Sequence, residues 1–283
     1  MNTSFAAFLN KRGIACASDT DMTLYALSKQ EPVAVAVNPY SPIPWDEIIN
    51  AYLRQGEIAK HEVFGDYARD FAEFLATEHT QPSWKKMSRA ERNIIFLGYG
   101  SDDVFPTVID VRVQLNDDGK MTFETMDERC IDHDENSCFC SIGDFSNVEP
   151  IMSGVLTESR EWLTAKFRSQ LELIKKQMAD EVTGTQFEEA VLNAIDQYEP
   201  DPSEEFVNEM DNMCDSLWEC VDMALDSFNI EDLVHVVENF VDAKVQIDHL
   251  KNGGKGELRQ TKELAVITRT EGLVWIKHSL YGV

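Results

Sequence analysis

The stretch Thr3-Ser4-Phe5-Ala6-Ala7-Phe8-Leu9-Asn10-Lys11-Arg12-Gly13-Ile14-Ala15-Cys16-Ala17-Ser18-Asp19 decides how the chain is read. Residues 4–9 and 13–17 are short apolar runs, and Asn10-Lys11-Arg12 interrupts them as a hairpin turn does. Outward from this pair, a third run at 24–28 leads through Lys29-Gln30-Glu31 into Pro32-Val33-Ala34-Val35-Ala36-Val37. That segment is apolar at nearly every position, the pattern of a strand buried on both faces. Asn38 to Pro44 holds three prolines, and a helix follows from about Trp45. Trp45, Ile48, Ile49, Tyr52 and Leu53 fall on one 3.6-period face that ends at Gly56. A second helix fits 66–79, with Phe71, Phe74 and Leu75 inward.

The middle of the chain returns to strands. Ile94–Gly100 is one and Val104–Leu115 another, its Val111 and Val113 alternating with Arg112 and Gln114. Asp117-Asp118-Gly119 signals a turn into a strand at Met121–Glu124, and Cys138–Ile142 reads as a further strand. From about 147 the period becomes helical. Leu163, Phe167, Leu171, Ile174 and Met178 mark one helix; Phe187, Val191, Leu192, Ile195 and Tyr198 mark a second. Asp201-Pro202 reads as an N-cap with proline at the first helical position, opening a third helix through Phe228. A fourth runs from Ile230 to about Val245. Beyond a glycine loop at 252–256, Leu264–Thr268 and Leu273–Lys277 form a hairpin around Glu271-Gly272. Strands at both ends and in the middle, with helices between, predict an α+β fold of two sheets covered by helices.

Composition narrows the function. The 283 residues carry 25 Lys+Arg against 51 Asp+Glu, a net charge of −26, and 43% are hydrophobic. That apolar content excludes a fully disordered chain. The charge argues against direct nucleic-acid binding and against anionic membranes, since both are polyanions. It suits a basic partner or mimicry of nucleic acid. No apolar run approaches the roughly 18–20 residues of a membrane span. The first eighteen residues lack a basic segment ahead of their apolar run, and Lys11 and Arg12 interrupt it, so they read as mature protein and the cytoplasm is the expected location. Residues 177–243 contain no Lys or Arg and 19 Asp or Glu. Within them Glu204, Glu205, Glu209, Asp211 and Asp215 are the candidate partner-binding residues; a solvated exterior is the plain alternative.

Six cysteines are too few for a disulfide scaffold and read as reduced thiols. Cys130, His133, Cys138 and Cys140 form C-x2-H-x4-C-x-C, a weak zinc candidate because the spacing matches no standard ligand pair. Cys138 and Cys140 are expected on one face of a strand. His235 and His249 read as packing or capping residues. There is no Walker or Rossmann phosphate loop and no serine nucleophile elbow, and no cofactor is expected.

The order Thr3, strand, hairpin, Gly13, strand, Asp19 resembles the start of proteasome β-type subunits, within the N-terminal nucleophile hydrolase superfamily. Leu27-Ser28-Lys29, Pro32-Val33-Ala34-Val35, Pro44-Trp45-Asp46-Glu47-Ile48-Ile49 and the closing hairpin are similar to a bacterial proteasome-like group. The likeness covers about 1–155 and 230–283. It implies one domain over 1–283, a four-layer αββα sandwich, with 157–228 as an acidic helical insertion. It also implies ring or dimer assembly. Its chemistry is threonine peptidolysis, in which the free α-amine of the threonine is the base for its own hydroxyl. A lysine–aspartate pair and a backbone N–H complete the site.

Thr3 and Asp19 match that pattern, and other parts depart from it. Thr23 stands where the family has its lysine. The stretch after the third strand, Val37-Asn38-Pro39-Tyr40, puts a proline without an N–H where the oxyanion donor belongs. Met1 and Asn2 precede Thr3, so its hydroxyl lacks an adjacent free amine. The favoured expectation is a degenerate, non-catalytic member acting by binding or homo-oligomeric assembly. The rivals are an active threonine peptidase or amidohydrolase matured at Thr3, and an acidic decoy for a basic or nucleic-acid-binding partner.

Overall fold

The computed structural model describes residues 4–19, 24–28, 31–38, 44–55, 60–78, 93–115, 121–132, 135–143, 145, 148, 219–251, 253–254 and 260–278. The chain divides into two compact units, Met1–Phe145 with Asp222–Val283, and Ser146–Val221. The helices expected at 163–178 and 187–198 lie outside the described residues, as does 201–218.

The first unit is an α+β fold built on two five-stranded antiparallel sheets. Its strands are β1 (Phe5–Asn10), β2 (Gly13–Ser18), β3 (Leu24–Ala26), β4 (Val33–Ala36), β5 (Asn93–Gly98), β6 (Thr107–Leu115), β7 (Met121–Cys130), β8 (Ser137–Ile142), β9 (Glu263–Thr268) and β10 (Gly272–Lys277). The first sheet runs β10-β9-β2-β1-β8 and the second β3-β4-β5-β6-β7. Helices α1 (Trp45–Arg54), α2 (Phe64–Glu78) and α3 (Ile230–Lys251) complete the elements among the described residues, with residues 219–227 also helical.

The hairpin read at the N-terminus forms as expected: β1 pairs β2 from Phe5↔Ser18 to Asn10↔Gly13. The Asn10 side-chain oxygen accepts the Arg12 N–H at 2.9 Å, which fixes the turn. Every residue of both strands is buried, because each face meets a different layer. Phe5, Ala7, Leu9, Ile14 and Cys16 join Ala34, Ala36, Ile95, Leu97 and Val108 in one core between the sheets. The alternate face, with Phe8 and Ala15, meets α3, which packs on β1, β2 and β9. There Phe240 of α3 meets Phe8 edge-on at 5.6 Å and stacks on Phe145 at 5.4 Å. On the second sheet, Val33, Val35, Phe96, Ile109, Val111 and Val113 pack with Trp45, Ile48, Ile49, Phe71 and Leu75 of α1 and α2.

Three boundaries differ from the pattern reading by three residues or more. β6 starts at Thr107 rather than Val104, since Pro106 has no N–H for the ladder. β7 continues beyond Glu124 to Cys130, across a register shift opposite Asp110/Val111. α3 runs past Val245 to Lys251. Buried Lys244 pairs there with Asp248 one turn on, and Gly253 and Gly254 end the helix by donating to the carbonyls of Leu250 and His249.

Candidate functional site

Where β1 begins and β2 ends, two backbones are tied by a carboxylate. Asp19 donates its N–H to Ser4 O at 3.1 Å, and the Ser4 N–H donates to Asp19 Oδ1 at 2.8 Å. Ser4 is 1% and Asp19 3% exposed. The aspartate picked from the sequence is therefore a buried anchor at the mouth of the two central strands. Thr3 and Thr23 lie outside the described residues, as do Pro39 and the acidic set Glu204, Glu205, Glu209, Asp211 and Asp215.

A second buried carboxylate stands one strand away. Ser18 pairs with Glu263 across the β2–β9 ladder, and the Lys262 N–H donates to Ser18 O at 2.8 Å. Glu263 shares its strand face with Ala265 and Ile267, so it points into the space between the sheets, where it is 2% exposed. His278 Nδ1 lies 3.2 Å from Glu263 Oε1. The His278 ring in turn lies 4.4 Å from that of Trp275. Residues three apart on a strand normally face opposite ways. The register shift between Trp275 and Lys277 turns His278 back to the side of Trp275, as β-bulges do. A buried carboxylate at this distance fixes the orientation of the imidazole.

Sequence reading missed both members of this pair. It began β9 at Leu264, one residue inside its observed start, and closed β10 at Lys277, as observed, with His278 just beyond it. The only signal was a glutamate opening an otherwise apolar strand.

The cysteines separate. Cys138 and Cys140 do share one strand face, and both join the inter-sheet core. Burial pushes the Cys138 thiol up to about 12, with Arg129 opposing, and lifts Cys140 and Cys16 as well. Cys130 is exposed, its sulfur 3.4 Å from Ile131 O. His133 lies outside the described residues. Among the described residues, no group of three His, Cys, Asp or Glu side chains is arranged to hold a metal ion. Thiols held protonated by burial are poor metal ligands and poor nucleophiles. No helix among the described residues is long and apolar enough to cross a membrane.

No family model matches the chain, and no curated protein matches it.

Proposed function

We propose that the chain is a non-catalytic relative of proteasome β-type subunits, an αββα sandwich of the N-terminal nucleophile type that works by binding or assembly in the cytoplasm. The observation that carries this reading is the buried Asp19, tied to Ser4 where β1 and β2 meet. The two antiparallel sheets with helices on their outer sides support it. Thr23 and Pro39 in place of the family's lysine and oxyanion donor argue against catalysis. The acidic set from Glu204 to Asp215 belongs to a surface for a basic partner, with the acidic block 157–228 as an insertion in the sandwich. Self-association uses other faces, since like charges repel.

A threonine-directed acylating probe tests the absence of catalysis. The expected result is an unlabelled protein of unchanged intact mass. Labelling at Thr3 that disappears in Thr3→Ala would establish the peptidase instead. For the partner surface, charge reversal at Glu204, Glu205, Glu209, Asp211 and Asp215 is expected to abolish a salt-sensitive complex while the fold survives. Unchanged binding across a range of salt would reduce the acidic block to a solvated exterior.

A further inference from the structure

Asp110 and Arg112 alternate along β6 with Ile109, Val111 and Val113. Those three pack with α1 and α2. Asp110 and Arg112 therefore face the other way, beside Val108, which belongs to the core between the sheets. The same face continues on β7, where Asp127 stands opposite Asp110 and Glu124 opposite Arg112. Cys140 of β8 lies within electrostatic reach across the gap: burial raises its thiol most, and Cys138, Cys16 and Asp110 add to the rise.

Two buried atoms of this pair have no partner among the described residues, Asp110 Oδ1 and Arg112 Nε. Arg112 meets Glu124 only through a terminal nitrogen, at a loose 3.5 Å. Buried polar atoms without partners are rare because each forfeits its bonds to water. Here one is an acceptor and the other a donor. They sit two residues apart on one face, about 6.6 Å along the strand. A group that satisfies both must itself donate and accept. Anions are disfavoured by Asp110 and Glu124, and a bare cation is disfavoured by Arg112 and by Arg129, whose Nε holds Asp127 Oδ2 at 2.7 Å. An amide meets both demands, its N–H toward Asp110 and its carbonyl toward Arg112.

We propose that the Asp110–Arg112 pair on the inter-sheet face of β6 binds an amide group, carried by a peptide or by an amino-acid amide. The site is independent of the proteasome-like reading, and its failure leaves that reading untouched.

The test uses the full chain with two sets of probes, free amino-acid amides and N-acetyl amino-acid methylamides, each spanning the side-chain types. Amide resonances of Val108–Val113 report binding, and thermal unfolding reports stability. Saturable shifts of those resonances are expected; the first set alone indicates a small-molecule site and the second a peptide site. Arg112→Met and Asp110→Leu are expected to weaken binding roughly tenfold or more, as loss of a charge-assisted hydrogen bond does. Without probe, Arg112→Met is expected to melt no lower than the parent, because it removes a buried donor without a partner and loses only the loose 3.5 Å contact to Glu124. If Asp110→Leu does not fold, Arg112→Met alone decides the matter. The proposal fails if no probe shifts these resonances, in which case the gap holds water only. It fails equally if Arg112→Met melts lower than the parent and binds the probes unchanged.

Discussion

Replacing Asp19 by alanine removes the carboxylate that receives the Ser4 N–H at 2.8 Å. Both residues are buried, so water does not replace the lost acceptor. A hydrogen bond to a charged group contributes about 1.5–3 kcal/mol, and a stranded buried N–H brings the loss to the upper end, about 3 kcal/mol. For a unit of this size each kcal/mol moves the melting temperature by about 2–4 °C, so a fall of about 6–12 °C is expected. Asp19→Asn keeps a neutral acceptor in the same place and should recover about half of the loss. Calorimetry of parent, Asp19→Ala and Asp19→Asn gives the temperatures, and hydrogen exchange at the Ser4 amide gives the local effect. The Ser4 amide should exchange fastest in the alanine variant, with β1 otherwise protected. If Asp19→Ala melts within about 1 °C of the parent, and Ser4 exchange is unchanged, the anchoring role is refuted. The carboxylate would then be available for proton transfer, and the case against catalysis would weaken.

Three further outcomes are expected. Asn10 is fully buried and donates its side-chain amide to Leu225 O at 2.7 Å and Phe228 O at 3.0 Å, closing the C-terminal end of the helical segment 219–227. Asn10→Ala should cost about 2 kcal/mol and speed exchange over 221–229, and Asn10→Asp should cost more because it turns an oxygen toward two carbonyls. At Gly98, φ is +152° and an added Cβ would lie 2.1 Å from Pro32 O, so Gly98→Ala should yield little folded protein in an expression and calorimetry assay. Burial and the neighbouring Asp127 raise the Asp110 carboxyl above its usual range, with Arg112 opposing. A raised carboxyl favours the protonated fold, so its contribution is present at low pH and lost as pH rises through the raised value. Asp110→Asn removes that loss. The melting difference between variant and parent should therefore be smallest at low pH, near the ordinary carboxylate range, and widen as pH rises above it; a gap independent of pH would contradict it.

Much of the first unit is legible in the sequence because local chemistry and tertiary demand agree there. Asn10-Lys11-Arg12 marks the hairpin, Pro32–Val37 reads as a doubly buried strand, and Trp45, Ile48, Ile49 and Tyr52 fall on the buried face of α1. The alternation of Arg112 with Val111 and Val113 is equally plain, yet period two says only that faces differ. It does not say which face meets water, and in a sheet packed on both sides the charged face turned inward. Glu263 and His278 were invisible for another reason. Their meeting needs both a ladder pairing and a bulge, and neither leaves a local signature beyond one glutamate at a strand's start. Asp19 is legible from its place after two short strands, whereas its bond to Ser4 depends on the β1–β2 pairing that brings residues fifteen apart together.

The order of strands in the two sheets also sets a timetable. The second sheet uses β3 to β7, a nearly continuous stretch whose neighbours pair in the order they are made. The first sheet takes β1 and β2 from the beginning and β9 and β10 from the end. During synthesis Ile14 waits for Ile267, roughly 250 residues later, which at about 5–20 residues per second is on the order of tens of seconds. For that time β2 has an open hydrogen-bonding edge, and apolar β1 and β2 lack their cover from α3. Until β9 is made, that open edge is a template for pairing with another chain, an exposure that a protein whose sheets close in sequence does not carry.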